Sequence, residues 1–164
     1  NPVIISPERK KLLNRNLMLF FTGFSRFSSD IQVAAEKNLK SKQNQLLEML
    51  SLVDDAEKIL TSKTDLEEFG RLLDYTWQLK RGITDKVSTD SIDAVYSRAL
   101  QAGATGGKLL GAGGGGFLLF YVDPDKQENV RKALENLLYV PFEFENGGTR
   151  VIHYTPESYE PVNA

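Results

Sequence analysis

Four consecutive glycines, Gly113–Gly116, lie directly before an apolar segment that is typical of a buried strand. Glycine loses more conformational freedom on folding than any other residue, so an ordered run of this length costs about 2–4 kcal/mol. A chain accepts that cost where the backbone needs dihedral angles closed to other residues, or where another group must approach without meeting a Cβ. Successive backbone N–H groups also form a concave donor surface for anions such as phosphate. The run predicts either an anion-binding loop or a bend that leads into a core strand.

The two best-known glycine signatures for nucleotides do not match this segment. A Walker A loop ends in Gly-Lys-Ser/Thr, whereas the nearby lysine, Lys108, precedes the glycines. A dinucleotide fingerprint needs a strand before the glycines and a helix after them, because the helix N-terminus receives the pyrophosphate. Here a strand follows the glycines, so the sequence excludes both motifs.

Composition indicates an ordinary soluble globular domain. The chain has 164 residues, 41% of them hydrophobic, and a net charge of −2, which predicts no nucleic-acid partner. It has no cysteine and one histidine, which excludes disulfides, thiolate catalysis and a metal site built on imidazoles. Its apolar runs are too short to span a bilayer, so we expect no membrane partner and a cytoplasmic location. The chain begins with Asn1, and we expect it to be part of a longer polypeptide.

Hydrophobic periodicity predicts the element order β-α-α-α-α-β-β-α-β-β. We expect an α+β domain, a two-layer ferredoxin-like sandwich of an antiparallel sheet with helices on one face and extra helices inserted. The predicted helices begin near Ser29, Gln43, Thr64 (a capping box), Ser88 or Thr89, and Asp123. The predicted strands are Leu17–Thr22, Lys108–Leu110, Phe117–Val122, a strand containing Phe142 and Phe144, and Thr149–Tyr154, the last two forming a hairpin across Asn146–Gly148.

The same pass divides the chain into three parts. Residues 1–16 read as a polar lead-in, with Arg9–Lys11 as a solvated connector; residues 17–155 form the domain, and residues 156–164 a polar tail. Trp77 and Tyr96 have the helical spacing of core aromatics. His153, far in sequence from any candidate acid, is predicted to be a structural or surface residue.

The segment Gly103–Gly116 resembles the C-terminal glycine motif of the GHMP small-molecule kinases. The usual form of that motif, Gly-Ala-x-Gly-x-Lys-x-x-Gly-Ala-Gly-Gly-Gly-Gly after an alanine-bearing helix, is present here without a gap. Val87–Asp93 looks like the family's approach to that helix. Thr22–Ser29 and Trp77–Lys80 are similar to the sugar-kinase branch, first to heptose 7-phosphate kinases and then to fucokinase-like enzymes. The resemblance covers about Asn16 to Tyr154.

The resemblance implies the C-terminal domain of a kinase that transfers a phosphoryl group from ATP to a sugar hydroxyl. Family members carry a second, N-terminal domain with the main ATP-phosphate loop, Pro-x-x-x-Gly-Leu-x-Ser-Ser, and the catalytic residues, and nothing in this chain matches it. We therefore expect ATP and Mg²⁺ to be bound mainly by that missing N-terminal domain. We expect no catalytic residue and no metal ligand in this chain, and no activity from it alone. The implied partners are the N-terminal domain and a sugar or sugar-phosphate substrate.

Two groups of residues are candidates for the site. The resemblance places a phosphate-proximal loop beside the nucleotide, with Lys108 either near the phosphates or solvated; its residues are Gly111, Ala112, Gly113, Gly114, Gly115 and Gly116. The second group is Arg26 with Ser25 and Ser28, since a guanidinium beside hydroxyls and a helix N-terminus suits a sugar phosphate. The alternative for Arg26 is a solvated side chain beside an N-cap.

Other functions fit the same residues. The chain could be a stand-alone ferredoxin-like ligand-binding or regulatory module, with the glycine loop as its anion site. It could be a structural or oligomerising domain whose glycines only shape the sheet. Within the kinases, another sugar such as fucose or galactose could be the substrate. Calorimetry separates the first of these from a kinase half, because a module binds its ligand alone and half a site binds ATP weakly or not at all.

Overall fold

A computed structural model describes residues 3–24, 33, 38, 40–149, 151 and 153–154 of the protein. Their helices are α1 (Pro7–Asn16), α2 (Gln43–Thr61), α3 (Glu67–Arg81), α4 (Asp90–Gln101) and α5 (Gln127–Ala133), the last preceded by a 3₁₀ turn, Pro124–Lys126. Their strands are β1 (Leu17–Phe21), β2 (Ala104–Leu109), β3 (Phe117–Val122) and β4 (Leu138–Tyr139). The start of the helix predicted near Ser29, and the tail 156–164, lie outside the described residues.

The four strands form one antiparallel sheet in the order β2-β3-β1-β4. In the central pair, Phe21 lies opposite Phe117 and Leu17 opposite Tyr121. Because β3 lies between β1 and β2, the connection from β1 to β2 has the split form of the ferredoxin-like plan. The predicted α+β class is confirmed.

Apolar side chains of the central strands alternate between two faces of the sheet, and each face is covered by helix. On one face Phe20 and Phe120 pack with residues of α4 and α5, such as Ile92 and Val130. On the other, Leu17 and Tyr121 join a smaller cluster with Leu13 of α1, Leu73 of α3 and the end of α2. Helices therefore contact both faces of the sheet and not one alone, because β1 and β3 are apolar on both.

Glycines let α3 approach the edge of β2. A Cβ on Gly106 would lie 2.1 Å from the carbonyl oxygen of Gly70 in α3, closer than any real contact. The buried Tyr96 hydroxyl of α4 closes the same edge, since it accepts from the Gly107 N–H (3.1 Å) and donates to Asp74 (2.6 Å). Burial and the Asp74 carboxylate raise the pKa of Tyr96, so this hydroxyl keeps its proton. Trp77 is fully buried beside it, and the prediction that both aromatics belong to the core is confirmed.

Within the predicted polar lead-in, Pro7–Asn16 is a helix. Ser6 caps α1 by accepting from the Arg9 N–H, and Pro7 stands at its first turn. Arg9, predicted to be a solvated connector, instead donates to the carbonyls of Ile59, Leu60 and Thr64 at the end of α2. A guanidinium satisfies such free helix-terminal carbonyls, so this prediction was wrong. The proposed domain boundary at residue 16 stays a prediction.

Helix α2 begins at Gln43 as predicted, but it lacks the buried apolar face that the three- and four-residue spacing of its apolar residues predicts. Leu50 and Val53, predicted to point inward, are 66% and 61% exposed, and the helix has no fully buried residue. The capping box predicted at Thr64 is also absent, because α3 begins at Glu67, whose N–H donates to Asp65. Thr89, by contrast, caps α4 as predicted. No helix in the described ranges is long and apolar enough to cross a membrane.

The C-terminal hairpin prediction was wrong. The strand that pairs with β1 is Leu138–Tyr139, while Phe142 and Phe144 lie in irregular chain and contact each other edge to face. The described residues after Gly148 form no strand, and Arg150 and Ile152 lie outside the description. Phe142 packs beside Leu17 in the second apolar cluster, so alternation here reflects helix contacts and not strand pairing. His153 is exposed, as predicted.

Candidate functional site

The loop between β2 and β3 uses its glycines in two ways. Four of them have a left-handed backbone: Gly111 (φ +80°), Gly113 (φ +124°), Gly114 (φ +72°) and Gly116 (φ +101°). A residue with a Cβ adopts that conformation only with strain, whereas glycine adopts it freely. At Gly113 and Gly115, the chain's own backbone also approaches, because a Cβ would lie 2.8 Å from the Val87 carbonyl oxygen and 2.3 Å from that of Phe24. Nothing lies within 4 Å of a Cβ on Gly111.

Two amides of the loop anchor it to the domain. The Gly114 N–H donates to the carbonyl of Val87 (2.9 Å), in the segment before α4. The Gly116 N–H donates to the hydroxyl of Thr22 (3.1 Å) and the carbonyl of Phe24 (3.2 Å), just after β1. Thr22 in turn donates from its N–H and hydroxyl to the Gly116 carbonyl, at 2.8 and 2.9 Å. These bonds fix the loop's shape from both sides.

Other amides of the same loop have no acceptor in the described part of the chain. They belong to Ala112, Gly113 and Gly115, which are half-buried, beside the exposed Gly111. An unpaired N–H in a partly desolvated position favours an acceptor of negative charge. Free amides at Ala112, Gly113 and Gly115 thus lie directly beside the anchored amides of Gly114 and Gly116, so a rigid frame presents donors that the described part of the chain does not use.

Two lysines lie beside this loop. Lys80, in the last turn of α3, donates from its ammonium to the Gly111 carbonyl. Lys108 lies on β2, two residues before the loop. Burial lowers the pKa of both lysines, and the nearby Lys108 charge lowers the pKa of Lys80 further. Both cations are therefore half-buried and near each other, and Lys80 contacts the loop next to the free amides.

An exposed aromatic pair extends the same surface. The rings of Phe21 and Phe117 are 5.1 Å apart, and each side chain is 38% exposed. By strand alternation they share a face with Lys108, which is paired to Leu119. Phe117 is the diagonal neighbour of Lys108, about 7–8 Å away across the ladder. The face next to the glycine loop thus carries cations, free amides and open aromatic surface.

Residues 52–140 match the family described as GHMP kinases C terminal. The chain belongs to the GHMP kinase family. The match includes the loop, Lys80 and Lys108. The four-stranded fold of the chain agrees with the predicted C-terminal domain type.

Relatives with different substrates in their names resemble this GHMP kinase domain. It is 34% identical over 139 residues to D-glycero-alpha-D-manno-heptose 7-phosphate kinase of Campylobacter jejuni, covering 80% of this chain and 41% of that protein. It is 32% identical to mevalonate kinase of Pyrococcus abyssi, covering 73% and 37%. A crystal structure of D-glycero-D-manno-heptose 1-phosphate kinase from Bacteroides thetaiotaomicron superposes with a TM-score of 0.59 at 25% identity, covering 88% and 37%. The chain spans about two fifths of each.

Of the predicted site residues, the structure brings Lys108 and Gly111–Gly116 together. Arg26, Ser25 and Ser28 lie outside the described residues, so their substrate role stays a prediction. Sequence reasoning placed Lys80 and Thr22 in segments that resemble sugar kinases but gave neither a role at the loop. A cation in the last turn of a helix is ordinary, and a threonine that ends a strand is too, so their contacts with the loop appear only in the tertiary structure.

A cavity lies at the end of the sheet opposite the glycine loop, beside Tyr121 and Asp123. It measures about 420 Å³ and is lined by α1, the start of α3 and the 3₁₀ turn Pro124–Lys126. Burial raises the pKa of Tyr121, whose hydroxyl accepts from Asn16. The cavity is separated from the glycine loop by the length of β3, so it is not part of the candidate site.

Proposed function

We propose that this domain is the C-terminal half of an ATP-dependent sugar kinase, acting on a heptose 7-phosphate. The carrying observation is the anchored glycine loop with free amides at Ala112, Gly113 and Gly115, in a chain 34% identical to a heptose 7-phosphate kinase. The N-terminal domain of the same polypeptide would be its partner and would form the other wall of the cleft. A cytoplasmic setting fits such a substrate.

The loop residues fit phosphate groups of ATP. Their N–H groups are fixed before the ligand arrives, so they would stabilise negative charge on the phosphoryl group without reorganising. ATP supplies the group to be transferred. The described ranges contain no group of three His, Cys, Asp or Glu side chains that could hold a metal ion. We therefore assign no residue here to Mg²⁺ and derive no step through it; metal and catalytic base belong to the N-terminal domain in this proposal.

An assay of ADP release tests the proposal. The polypeptide encoded by the complete reading frame is supplied with ATP, Mg²⁺ and one acceptor at a time: heptose 7-phosphate, fucose, galactose or mevalonate. We expect turnover with heptose 7-phosphate and at least a hundredfold lower kcat/KM with the others. Mevalonate is the rival because of the 32% identity to a mevalonate kinase. Preferred turnover of mevalonate would replace the proposal with that activity.

The proposed role of Arg26 has its own test. Arg26→Ala in the complete polypeptide is expected to raise the KM for the sugar phosphate far more than the KM for ATP, because only the acceptor's phosphate would lose one of its charged partners. Arg98→Ala, on α4, is the control. An equal rise in both KM values would refute the assignment of Arg26 to the acceptor.

A further inference from the structure

We propose that Lys80 and Lys108 together bind the phosphate monoester that the acceptor already carries and that is not transferred. This inference rests on the proposed kinase function and deepens it, since it names the part of the substrate that these two side chains recognise. Lys80 had no predicted role, and Lys108 was predicted to lie either near the phosphates of the nucleotide or in solvent.

The position of the pair supports this assignment. Lys80 reaches the loop from α3 by its bond to the Gly111 carbonyl, on the side where nothing lies within 4 Å of a Cβ on Gly111. Lys108, on β2, shares a sheet face with Gly106, which α3 contacts, and is close enough for its charge to lower the pKa of Lys80. The inner side of the loop is occupied by Val87 and Phe24.

Charge distinguishes this pair from four described cations that pair with acids. Arg81 pairs with Asp93, Arg71 with Glu67 and Glu68, and Lys58 and Lys132 with acids on their own helices. No described carboxylate lies within salt-bridge distance of Lys80 or Lys108. Two neighbouring half-buried cations without an acid destabilise a fold, and burial lowers the pKa of each. A phosphate monoester, with a charge of about −1.5 to −2 at pH 7, would neutralise the two together.

The surface next to the pair suits the rest of such an acceptor. Phe21 and Phe117 present an open aromatic face beside Lys108, and the C–H groups of a sugar ring pack well on apolar aromatic surface. A sugar phosphate can contact both features at once, with its ring on the aromatics and its phosphate on the lysines. Inorganic phosphate would use only the lysines, so it should bind more weakly.

A binding experiment on this chain tests the pair without any turnover. ¹⁵N-labelled protein is titrated with mannose 6-phosphate, mannose, inorganic phosphate and ADP, and amide shifts are followed by NMR. We expect mannose 6-phosphate to shift the amides of Lys108, Gly111 and Phe117, with an affinity at least threefold above that of phosphate, and mannose to shift none. Shifts spread over exposed lysines, equal affinities for phosphate and mannose 6-phosphate, or tighter binding of ADP at these amides would overturn the proposal.

Variants sharpen the result. Lys80→Met and Lys108→Met should each weaken mannose 6-phosphate binding about tenfold, and Lys80→Arg should retain most of it. Lys63→Met, which removes an equal charge from an exposed position between α2 and α3, should leave the affinity unchanged. Equal loss in all three Met variants would mean a general charge effect and contradict the site. A variant that fails to fold does not remove the test, because the wild-type ligand comparison stands alone.

The two proposals fail in different ways. The kinase proposal alone is refuted if the complete polypeptide releases no ADP with any sugar phosphate while mannose 6-phosphate still binds at the lysine pair. The lysine assignment alone is refuted if the enzyme turns over heptose 7-phosphate and its KM for this substrate is unchanged in Lys80→Met and Lys108→Met.

Discussion

At the scale of single residues, loop glycines that look alike in the sequence have different reasons to be glycine. Gly115 faces the Phe24 backbone and Gly113 faces that of Val87, whereas Gly111 has open space in front of it. The run of glycines predicted a loop that other residues could not form. It could not reveal which positions are closed by the chain itself, because Phe24 and Val87 are distant in sequence.

The difference can be measured by alanine substitution. Gly115→Ala should lower the free energy of unfolding by about 3 kcal/mol, because its Cβ would collide with a backbone carbonyl that cannot move without the end of β1. Gly111→Ala should cost only about 1 kcal/mol, the strain of a left-handed backbone with a side chain. Urea unfolding of both variants gives the comparison. Equal losses would contradict the closed position of Gly115.

The lysine pair predicts a dependence of stability on pH. A lysine whose pKa is lowered on folding binds its proton more weakly in the folded state, so it destabilises the fold below that pKa. Between the lowered value and the unfolded value of about 10.4, the unfolded chain holds more protons and stability rises with pH.

Lys108→Met should therefore raise the Tm at pH 7. The corresponding gain in the free energy of unfolding should be less than about 1 kcal/mol, because solvent screens a half-buried charge. The advantage of the variant should shrink as the pH approaches 10. Calorimetry of wild type and variant at both pH values measures this, and Lys63→Met, at an exposed position, should change the Tm little at either. A Tm difference that is constant with pH would exclude a desolvated Lys108.

At the scale of elements, the close contact of α3 with β2 depends on glycines in both. Gly106→Ala would place a Cβ 2.1 Å from the Gly70 carbonyl oxygen, so α3 must move away from the edge of the sheet. We expect a loss of about 3 kcal/mol or more in the free energy of unfolding. Gly148→Ala, with no atom within 4 Å of the new Cβ, is the matched control and should change it by about 0.5 kcal/mol or less. A tolerated Gly106→Ala would contradict this helix position.

Elements with a strong local pattern were predictable from the sequence, and those set by tertiary contact were not. The apolar run Phe117–Val122 predicted strand β3 with the bounds that the structure shows. Thr89, one of the two predicted N-caps, is the residue that caps α4. Helix α1 is polar along most of its length and is held by Arg9 at the end of α2, a contact between residues 50 positions apart. Strand β2 begins four residues before its predicted start, because Gly106 and Gly107 have no side chains to form an alternating pattern.

At the scale of the whole molecule, the two ends of the sheet carry different surfaces. The glycine loop, the lysine pair and the exposed aromatics lie at one end, and the cavity of Asn16, Asp123 and Tyr121 at the other. The loop itself could be predicted from the sequence, and its role beside phosphates stays a prediction. Its combination with Lys80 could not be predicted, since it requires the last turn of α3 to reach across to β2.

The central claim is that the free loop amides and the lysine pair face the phosphates of a kinase reaction. The most direct measurement is a crystal structure of the complete polypeptide with a non-hydrolysable ATP analogue and a sugar phosphate. We predict a nucleotide phosphate oxygen about 3 Å from an amide of Ala112, Gly113 or Gly115, and the acceptor's own phosphate on Lys80 and Lys108. Both ligands bound away from this loop, with its amides covered by protein, would contradict the account.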